Sequence, residues 1–278
     1  MAKNMVVGCI GTGNMGGAFL TGLVKARLVR GRDILAWDKN RQRLGELQDQ
    51  LGLRPARDNR AVAAGADVLL LAVKPQILDK VLAEIRGSLK PGCLVLSVAA
   101  GYPTALIEQL LDGQVRVVRA MPNIAAQVGQ AATAICPGRH ARRADVKLAR
   151  RLFESCGSVL EIEEGLMDAV TGLSGTGPMY VFIIIEALSD AGVRMGLSRR
   201  DATALATQTV LGAAHMVQQT GRHPIYLKDL VTSPGGTAIN ALYSMERTGL
   251  RAVLMEAVET ATRRSRELGR PVSNANGG

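Results

Sequence analysis

Three glycines near the start of the chain have the spacing that binds the diphosphate of a dinucleotide. Gly11, Gly13 and Gly16, in the segment IGTGNMG, form the pattern G-x-G-x-x-G. A strand-like apolar run precedes them and a helical pattern follows, which is the context in which this pattern is specific. The first glycine allows a tight turn, the second lets the backbone approach a pyrophosphate, and the third lets the helix pack on the sheet. The spacing predicts dinucleotide binding, with a plain flexible turn as the alternative.

The residues after the second strand-like run carry two opposite signals about the cofactor. Asp38 stands where a carboxylate accepts a hydrogen bond from the 2′-hydroxyl of NAD. Lys39, Arg41 and Arg43 follow it and could neutralise the 2′-phosphate of NADP. The sequence therefore predicts contact with the adenosine ribose here and leaves the choice of cofactor open.

A second candidate site lies in the segment VTSPGGTAINAL, residues 231–242. Gly and Pro destabilise a helix interior, so they mark an interruption here. Ser233 fits the N-cap and Pro234 the first position of the helix that follows. The three residues after Pro234 would then present free backbone N–H groups at the positive end of that helix. This arrangement suits a carboxylate, and an ordinary helix start is the alternative.

Other kinds of catalytic site find little support. The histidines, His140, His215 and His223, are far apart and lack a metal-binding spacing, so we expect no metal site. The segment GLSGTG resembles a nucleophile elbow, but Thr176 replaces its last glycine. We therefore expect a site with weak acid–base power.

Composition excludes several classes of partner. The net charge is +10, but the basic residues are spread along the chain and aromatic residues make up only 3%, which argues against nucleic-acid binding. The four cysteines form no C-x-x-C pair and are expected to be buried thiols in a reducing compartment. No signal peptide and no apolar run of about 18 residues is evident, so we expect a cytoplasmic protein without a membrane span.

The elements that must position these residues change character near residue 163. Before it, seven strand-like runs alternate with helical segments, which predicts a Rossmann-type doubly wound parallel sheet over residues 1–163. After it, residues 164–278 are expected to be all helical. The long apolar helix at 178–197 suggests a subunit interface.

Seven motifs occur in the order, and at about the spacing, of the pyrroline-5-carboxylate reductase family. They are GTGNMG, LAVKPQ, LSVAAG, RAMPN, DAVTGLSGTGP, QTVLGAA and LKDLVTSPGGTA, and together they span nearly the whole chain. The chain resembles this family, whose members reduce the cyclic imine 1-pyrroline-5-carboxylate to L-proline, the last step of proline biosynthesis. The resemblance implies a Rossmann domain, a helical dimerisation domain, NADPH as cofactor with NADH as the alternative, and a homodimer that in this family can assemble further into rings.

Carried over motif by motif, the resemblance implies a cofactor site along the ends of the strands. Its residues are Ile10, Gly11, Thr12, Gly13, Asn14, Met15, Gly16, Asp38, Lys39, Asn59, Ala72, Val73, Lys74, Pro75, Val98, Ala99, Ala100 and Asn123. Asn59 would lie near the adenine, Ala72 to Pro75 along the ribose and nicotinamide, and Val98 to Ala100 beside the nicotinamide. Asn123 would stand at the edge of that ring.

The resemblance also implies a substrate site. Its residues are Glu164, Ser233, Gly235, Gly236, Thr237 and Ala238. The Ser-Pro-Gly-Gly loop becomes the seat of the substrate carboxylate, contributed across the dimer interface, and the hydroxyls of Ser233 and Thr237 are the catalytic candidates. For Glu164, a surface carboxylate before a helix is the alternative. A ring imine accepts hydride readily, so the protein mainly has to position the two reactants.

Two departures from the family pattern keep other functions open. Ile124 and Ala125 replace the usual Thr-Pro after MPN, and Ala238 replaces a usual threonine. One alternative is a reductase of another cyclic imino acid on the same fold. The other is a catalytically weakened, NADP-binding regulatory paralogue. We expect activity to survive with a lower turnover, because carboxylate binding and hydride alignment do not need that hydroxyl.

Overall fold

The fold begins with a single eight-stranded sheet, in a computed structural model that describes residues 5–269. The strand order is β3-β2-β1-β4-β5-β6-β7-β8. The strands are β1 (Val7–Ile10), β2 (Ile34–Trp37), β3 (Arg54–Pro55), β4 (Val68–Leu71), β5 (Leu94–Ser97), β6 (Arg116–Met121), β7 (Ala131–Pro137) and β8 (Gly157–Glu161). The reversal of strand order beside β1 is where doubly wound folds open a crevice for a ligand.

Helices connect the strands and then continue alone to the end of the described chain. Those of the strand-bearing part are α1 (Asn14–Lys25), α2 (Arg41–Leu51), α3 (Asn59–Gly65), α4 (Pro75–Ile85), α5 (Thr104–Leu110), α6 (Arg143–Phe153) and α7 (Met167–Val170). Those after it are α8 (Gly177–Arg194), α9 (Arg199–Thr220), α10 (Pro224–Leu230), α11 (Thr237–Arg247) and α12 (Leu250–Leu268). The predicted fold class, a Rossmann-type sheet followed by helices, is confirmed.

One strand departs from the expected parallel order. β1 to β6 are mutually parallel, but β7 pairs antiparallel with β6, through Arg119 opposite Cys136 and Met121 opposite Ala134. β8 then runs parallel to β7. The reason is the short connection from β6 to β7, which holds only a 3-10 segment and cannot make the crossover that a parallel pair needs.

Apolar side chains cover both faces of the sheet. On one face, Phe19 of α1 packs against Phe153 of α6, with ring centroids 4.9 Å apart. On the other, Leu78 and Leu82 of α4 and Ile107 of α5 are fully buried. Helices therefore pack on both faces of the sheet and stabilise it, so polar groups at the ends of the strands do not disrupt the core.

The described residues divide into two compact units. The sheet unit comprises residues 5–176 together with 259–269, and the helical unit comprises residues 177–258. Few residues of the helical unit are buried within the chain. Those that are as buried as the core of the sheet unit are Ser189, Ala202 and Ala206, the only ones among residues 177–258. Its exposed apolar side chains include Phe182 at 62%, Tyr243 at 65% and Val253 at 60%. The domain division at residue 163 stays a prediction.

One helical stretch, 164–194, is long and apolar enough to cross a membrane by length and composition alone. Its best 18-residue window has a mean hydropathy of 1.2, and 11% of that window is buried. A single stretch of this kind is weak evidence for a membrane span.

Candidate functional site

The glycine-rich turn between β1 and α1 has the geometry of a phosphate-binding loop. Gly11 has φ +93°, and a Cβ there would lie 2.6 Å from the carbonyl oxygen of Ala72. A Cβ on Gly16 would overlap the carbonyl oxygen of Gly11. Around Gly13, by contrast, a Cβ would meet no described atom within 4 Å, and no side chain caps the start of α1 there. Open space at an uncapped helix N-terminus fits a pyrophosphate.

Asp38, at the end of β2, is tied to this turn. Its Oδ2 accepts hydrogen bonds from the backbone N–H of Thr12 at 2.6 Å and from the Thr12 hydroxyl at 3.1 Å. Its Oδ1 accepts from the backbone N–H of Asn40 at 2.8 Å. Lys39 is exposed beside it, and Thr12 is buried. The structure thus brings the first and second cofactor segments of the sequence together.

Two arginines predicted at the adenosine are also held in place near these segments. The guanidinium of Arg41 stacks 3.6 Å over the ring of Trp37. The Nη2 of Arg43 donates to Oδ1 of Asn14 at 2.8 Å, so it joins the start of α2 to the start of α1. Two positive charges are therefore fixed at the start of α2, and their contact with a 2′-phosphate stays a prediction.

The remaining predicted cofactor residues gather at the same edge of the sheet. The backbone N–H of Ala72 donates to Ile10 at 2.9 Å, and the backbone N–H of Val98 donates to Leu71 at 3.2 Å. Val73, Lys74 and Pro75 then lead into α4, where Pro75 is the first helical residue, while Ala99 and Ala100 continue the loop after β5. Met15 lies in the first turn of α1 and is partly buried.

The two asparagines predicted to bind the cofactor differ in their remaining hydrogen-bonding capacity. Asn59 is 7% exposed and donates to Glu84 at 2.8 Å, but its Oδ1 has no hydrogen-bond partner among the described residues. Asn123 caps the 3-10 segment that follows β6, accepts from Ala125 at 3.2 Å, and donates to the carbonyl of Ser174 at 3.0 Å. Asn59 therefore retains a buried acceptor without a partner among the described residues, whereas Asn123 is engaged in positioning the backbone, and the contact of Asn59 with adenine stays a prediction.

The motif DAVTGLSGTGP forms a π-helical segment, Thr171–Gly175. The hydroxyls of Ser174 and Thr176 donate back to the carbonyls of Val170 and Thr171, at 3.2 and 3.0 Å. Short π segments inside helices are frequent at functional sites.

The Ser-Pro-Gly-Gly loop is a turn before the helix rather than its first residues. α11 begins at Thr237 with Gly236 as its N-cap, so the prediction of Ser233 as N-cap and Pro234 as first helical residue is wrong. The backbone N–H of Gly236 donates to Ser233 at 3.1 Å, and Gly235 has φ +67°. Pro followed by a glycine at positive φ is typical of a type II turn. Residues 233–236 therefore form this turn, and the helix starts after it.

The substrate residues predicted in this loop lie at or just before the start of α11, but their surroundings differ from those predicted. No side chain caps α11, so the backbone N–H groups of its first turn remain available within the described part of the chain. Ser233 and Thr237 are exposed. Ala238 lines an apolar cavity of about 450 Å³ with Val231, Leu242, Met245 and Leu254.

Glu164 lies elsewhere, in the sheet unit. Its Oε1 accepts from the backbone N–H of Thr104 at 2.7 Å and its Oε2 from the Thr104 hydroxyl at 2.7 Å. Its contact with a substrate stays a prediction. The sequence analysis missed the neighbour that accompanies it, Arg119 of β6, whose Nη1 is 3.5 Å from Glu164 Oε1.

Burial governs the titratable groups near the site. Burial, and then the negative charge of Glu164, raise the pKa of Cys136 to about 12, against the opposing charge of Arg119. Burial and the hydrogen bond to Asp79 raise the pKa of Tyr102. Neither group is therefore an acid or base near neutral pH.

Two family models match the chain. Residues 6–101 match the family described as NADP oxidoreductase coenzyme F420-dependent. Residues 164–268 match the family described as pyrroline-5-carboxylate reductase dimerisation. The first contains the glycine turn and the strand ends, and the second contains the Ser-Pro-Gly-Gly loop.

Relatives and solved structures agree over the full length. A pyrroline-5-carboxylate reductase of Methanosarcina acetivorans is 47% identical, covering 96% of this chain and 99% of its own. One from Synechocystis is 42% identical over 95% and 98% of the two chains. A solved pyrroline-5-carboxylate reductase of Coxiella burnetii superposes with a TM-score of 0.89 at 34% identity, covering 97% of this chain and all of its own. One from Plasmodium falciparum with NADP bound gives 0.87 at 32% identity, over 96% and 99%. The chain belongs to the pyrroline-5-carboxylate reductase family.

Proposed function

We propose that this chain is an NAD(P)H-dependent oxidoreductase that reduces 1-pyrroline-5-carboxylate to L-proline. Hydride adds to the carbon of the ring C=N bond, the ring nitrogen takes a proton, and the nicotinamide is oxidised. The observation that carries the proposal is the shape of the glycine turn. A Cβ added at Gly11 or Gly16 would clash with the backbone, whereas the space around Gly13 is open. The relatives of this chain are named for the proposed activity.

The sheet unit would hold the cofactor, which supplies the hydride when bound. The N–H groups at the start of α1 would bind the pyrophosphate, Asn59 Oδ1 would accept from the adenine, and Arg43 would neutralise a 2′-phosphate. NADPH is the favoured cofactor, since the Asp38 carboxylate already accepts three hydrogen bonds from the chain, out of about four that a carboxylate can accept. NADH remains the alternative.

The helical unit would bind the substrate carboxylate at the start of α11. Gly235 and Thr237 would offer backbone N–H groups there, since no side chain caps the helix, while the N–H of Gly236 already donates to the carbonyl of Ser233. The hydroxyls of Ser233 and Thr237 are the proposed groups for polarising the imine. Because a ring imine accepts hydride readily, holding it in line is the main task of these residues.

The chain carries a dimerisation domain, and its apolar surface accounts for that role. The exposed Phe182, Ile183, Leu205 and Leu211 lie on α8 and α9, where a second copy would cover them. Burial against a second copy would also account for the apolar stretch 164–194, whose best 18-residue window has a mean hydropathy of 1.2. A cytoplasmic location and a further assembly of dimers into a ring belong to the same proposal.

A single assay tests the function. Purified protein is mixed with 1-pyrroline-5-carboxylate and NADPH, and both the oxidation of NADPH and the formation of proline are measured. The six-membered homologue of the substrate serves as the control. Proline formation with a clear preference for the five-membered ring is expected. A preference for the six-membered ring, or tight NADPH binding without turnover, would instead select one of the two alternatives, which the relatives do not favour.

A further inference from the structure

The loop 98–103 between β5 and α5 has few means of fixing its own shape. The side chains of Val98, Ala99 and Ala100 carry no polar atoms, and the backbone N–H of Ala99 lies 3.4 Å from the hydroxyl of Ser97. Under the proposed function, this loop flanks the nicotinamide. Its position therefore depends on contacts with other parts of the sheet unit.

Three such contacts hold the second half of the loop. The hydroxyl of Tyr102 donates to the carboxylate of Asp79 on α4. Gly101, at φ +71°, lies under the end of α12, where a Cβ would come within 2.5 Å of the carbonyl oxygen of Ser265. At the end of the loop, both oxygens of Glu164 accept hydrogen bonds from Thr104. Of these three contacts, only the one between Thr104 and Glu164 joins two donors of one residue to a single carboxylate.

A buried arginine lies behind this carboxylate. The side chain of Arg119 is 4% exposed, with Nη1 3.5 Å from Glu164 Oε1 and Nη2 3.8 Å from Asp168 Oδ1. Both distances exceed the roughly 3.2 Å of a good N–H···O hydrogen bond, and Nη2 has no hydrogen-bond partner within residues 5–269. A buried charge paired this loosely adds little to stability. Its placement is explained if its charge keeps Glu164 facing Thr104.

We propose that Glu164 is a positioning residue for hydride transfer, a role that rests on the proposed function. With Arg119 behind it, Glu164 fixes Thr104, and Thr104 fixes the loop 98–103 against the nicotinamide. Glu164 then acts through the loop and not on the substrate. A misplacement of about 1 Å can slow a reaction of two aligned partners on the order of 100-fold, so the effect falls on kcat.

Four variants separate this role from a general structural one. Glu164→Gln replaces one acceptor oxygen with an amide donor, and Thr104→Val removes the hydroxyl at nearly constant volume. Thr104→Ser keeps the hydroxyl and serves as the rescue. Glu163→Gln removes the same charge from the adjacent exposed residue and is the matched control.

The kinetic expectation is a split between kcat and KM. Glu164→Gln and Thr104→Val lower kcat about tenfold or more, while KM for the substrate and Kd for NADPH change less than about threefold. The deuterium isotope effect with NADPH labelled at the transferred position rises, because hydride transfer becomes slower than product release. Thr104→Ser and Glu163→Gln match the wild type in all of these quantities.

A second measurement needs neither substrate nor cofactor. Hydrogen–deuterium exchange in peptides covering 98–104 is expected to be faster in Glu164→Gln and Thr104→Val than in the wild type or Glu163→Gln. Peptides from β1 and β4 serve as internal references, and their exchange should not change.

The inference is wrong if both variants keep kcat and loop exchange at wild-type values. It is equally wrong if Glu164→Gln raises only the KM for the substrate, which would indicate a direct contact, or if activity falls only with the folded fraction. A wild-type protein that forms no proline refutes the proposed function and this inference together. An active wild type with unchanged variants refutes the inference alone.

Discussion

The carboxylate of Asp38 accepts two hydrogen bonds from Thr12, one from its backbone N–H at 2.6 Å and one from its hydroxyl at 3.1 Å. This pairing joins the end of β2 to the turn that carries Gly11 and Gly13. With its second oxygen accepting from the backbone N–H of Asn40, Asp38 supports the shape of the glycine-rich turn. Discrimination between NADPH and NADH is then expected to depend on the cationic groups of α2.

Arg43→Ala should therefore reduce the preference for NADPH. A charged hydrogen bond to a phosphate is worth about 1.5–3 kcal/mol, so the ratio of kcat/KM for NADPH to that for NADH should fall on the order of tenfold or more. The comparison variant is Arg143→Ala, an exposed arginine of α6. If the ratio changes equally in both variants, Arg43 does not bind the 2′-phosphate.

Gly13→Ala should separate cofactor binding from folding. No described atom lies within 4 Å of a Cβ at Gly13, and its φ of −58° suits alanine, so the loss of stability should stay within about 1 kcal/mol. The methyl group would occupy the space proposed for the pyrophosphate, and Kd for NADPH should rise about tenfold or more.

The control for this prediction is Gly45→Ala, on α2, where a Cβ is also free of contacts. That variant should keep the wild-type Kd and gain about 0.5–1 kcal/mol of stability, as measured by chemical denaturation. An unchanged Kd in Gly13→Ala would place the pyrophosphate elsewhere.

Ala238→Thr tests whether a hydroxyl is missing from the surroundings of the imine. A neutral hydrogen bond to the ring nitrogen is worth about 0.5–1.5 kcal/mol, so kcat for proline formation should rise roughly two- to tenfold. Ala241→Thr adds the same group one turn later on α11 and should not raise kcat. A kcat that stays constant or falls in Ala238→Thr would contradict the expectation.

Asp67 should make folding stability sensitive to acid. Burial alone would raise its pKa, but the hydrogen bond from Lys90 at 2.5 Å, that from the backbone N–H of Val6 at 2.8 Å, and the charge of Lys90 hold the pKa below its usual value. A lowered pKa contributes stability above the pKa of the unfolded chain, and that contribution is lost as the pH falls through the folded pKa.

Asp67→Asn should accordingly lower the free energy of unfolding near pH 7 by about 1 kcal/mol at most, since the pair is partly exposed and screened by solvent. The difference from the wild type should shrink below about pH 4. Urea denaturation of both proteins near pH 7 and below about pH 4 measures this difference in unfolding free energy. A difference that grows as the pH falls would contradict the lowered pKa of Asp67.

The thiols should be unreactive in the folded protein. Cys9, Cys93, Cys136 and Cys156 are all free and buried, and burial is the first cause of a raised pKa in each, to about 12 for Cys93 and Cys136. Ellman's reagent at pH 8 should label the native protein only slowly and then all four thiols after denaturation. Prompt labelling of one native thiol would locate a region that opens easily.

The cofactor turn could be predicted from sequence because its requirements are local. Gly11 needs a positive φ, and Gly16 must lie against the Gly11 carbonyl, so the residue types report the geometry directly. The fold followed from alternation of strands and helices. The direction of β7 did not, because it depends on the length of the connection after β6 and not on the composition of the strand.

The loop before α11 shows how two local signals can compete. Ser233 and Pro234 satisfy the rules for a helix start, yet Pro234 and Gly235 satisfy those for a type II turn, and the turn prevailed. Arg119 shows a missed signal, since it is the arginine in the middle of the strand RVVRAM, where its neighbours Val118 and Ala120 are apolar and buried. A charge in a buried strand needs a partner, but Glu164 and Asp168 are too distant in sequence to be identified without the structure.

The contact between Gly101 and the end of α12 bears on when the cofactor-binding part of the protein can be completed during synthesis. Residues 259–269 are part of the sheet unit, and Ser265 also donates to Asp168 at 2.7 Å. Because a ribosome synthesises the chain from its N-terminus, the loop 98–103 waits for a segment that is made only after the whole helical unit. A nascent chain should therefore bind NADPH poorly until α12 has emerged, whatever the state of β1 to β6.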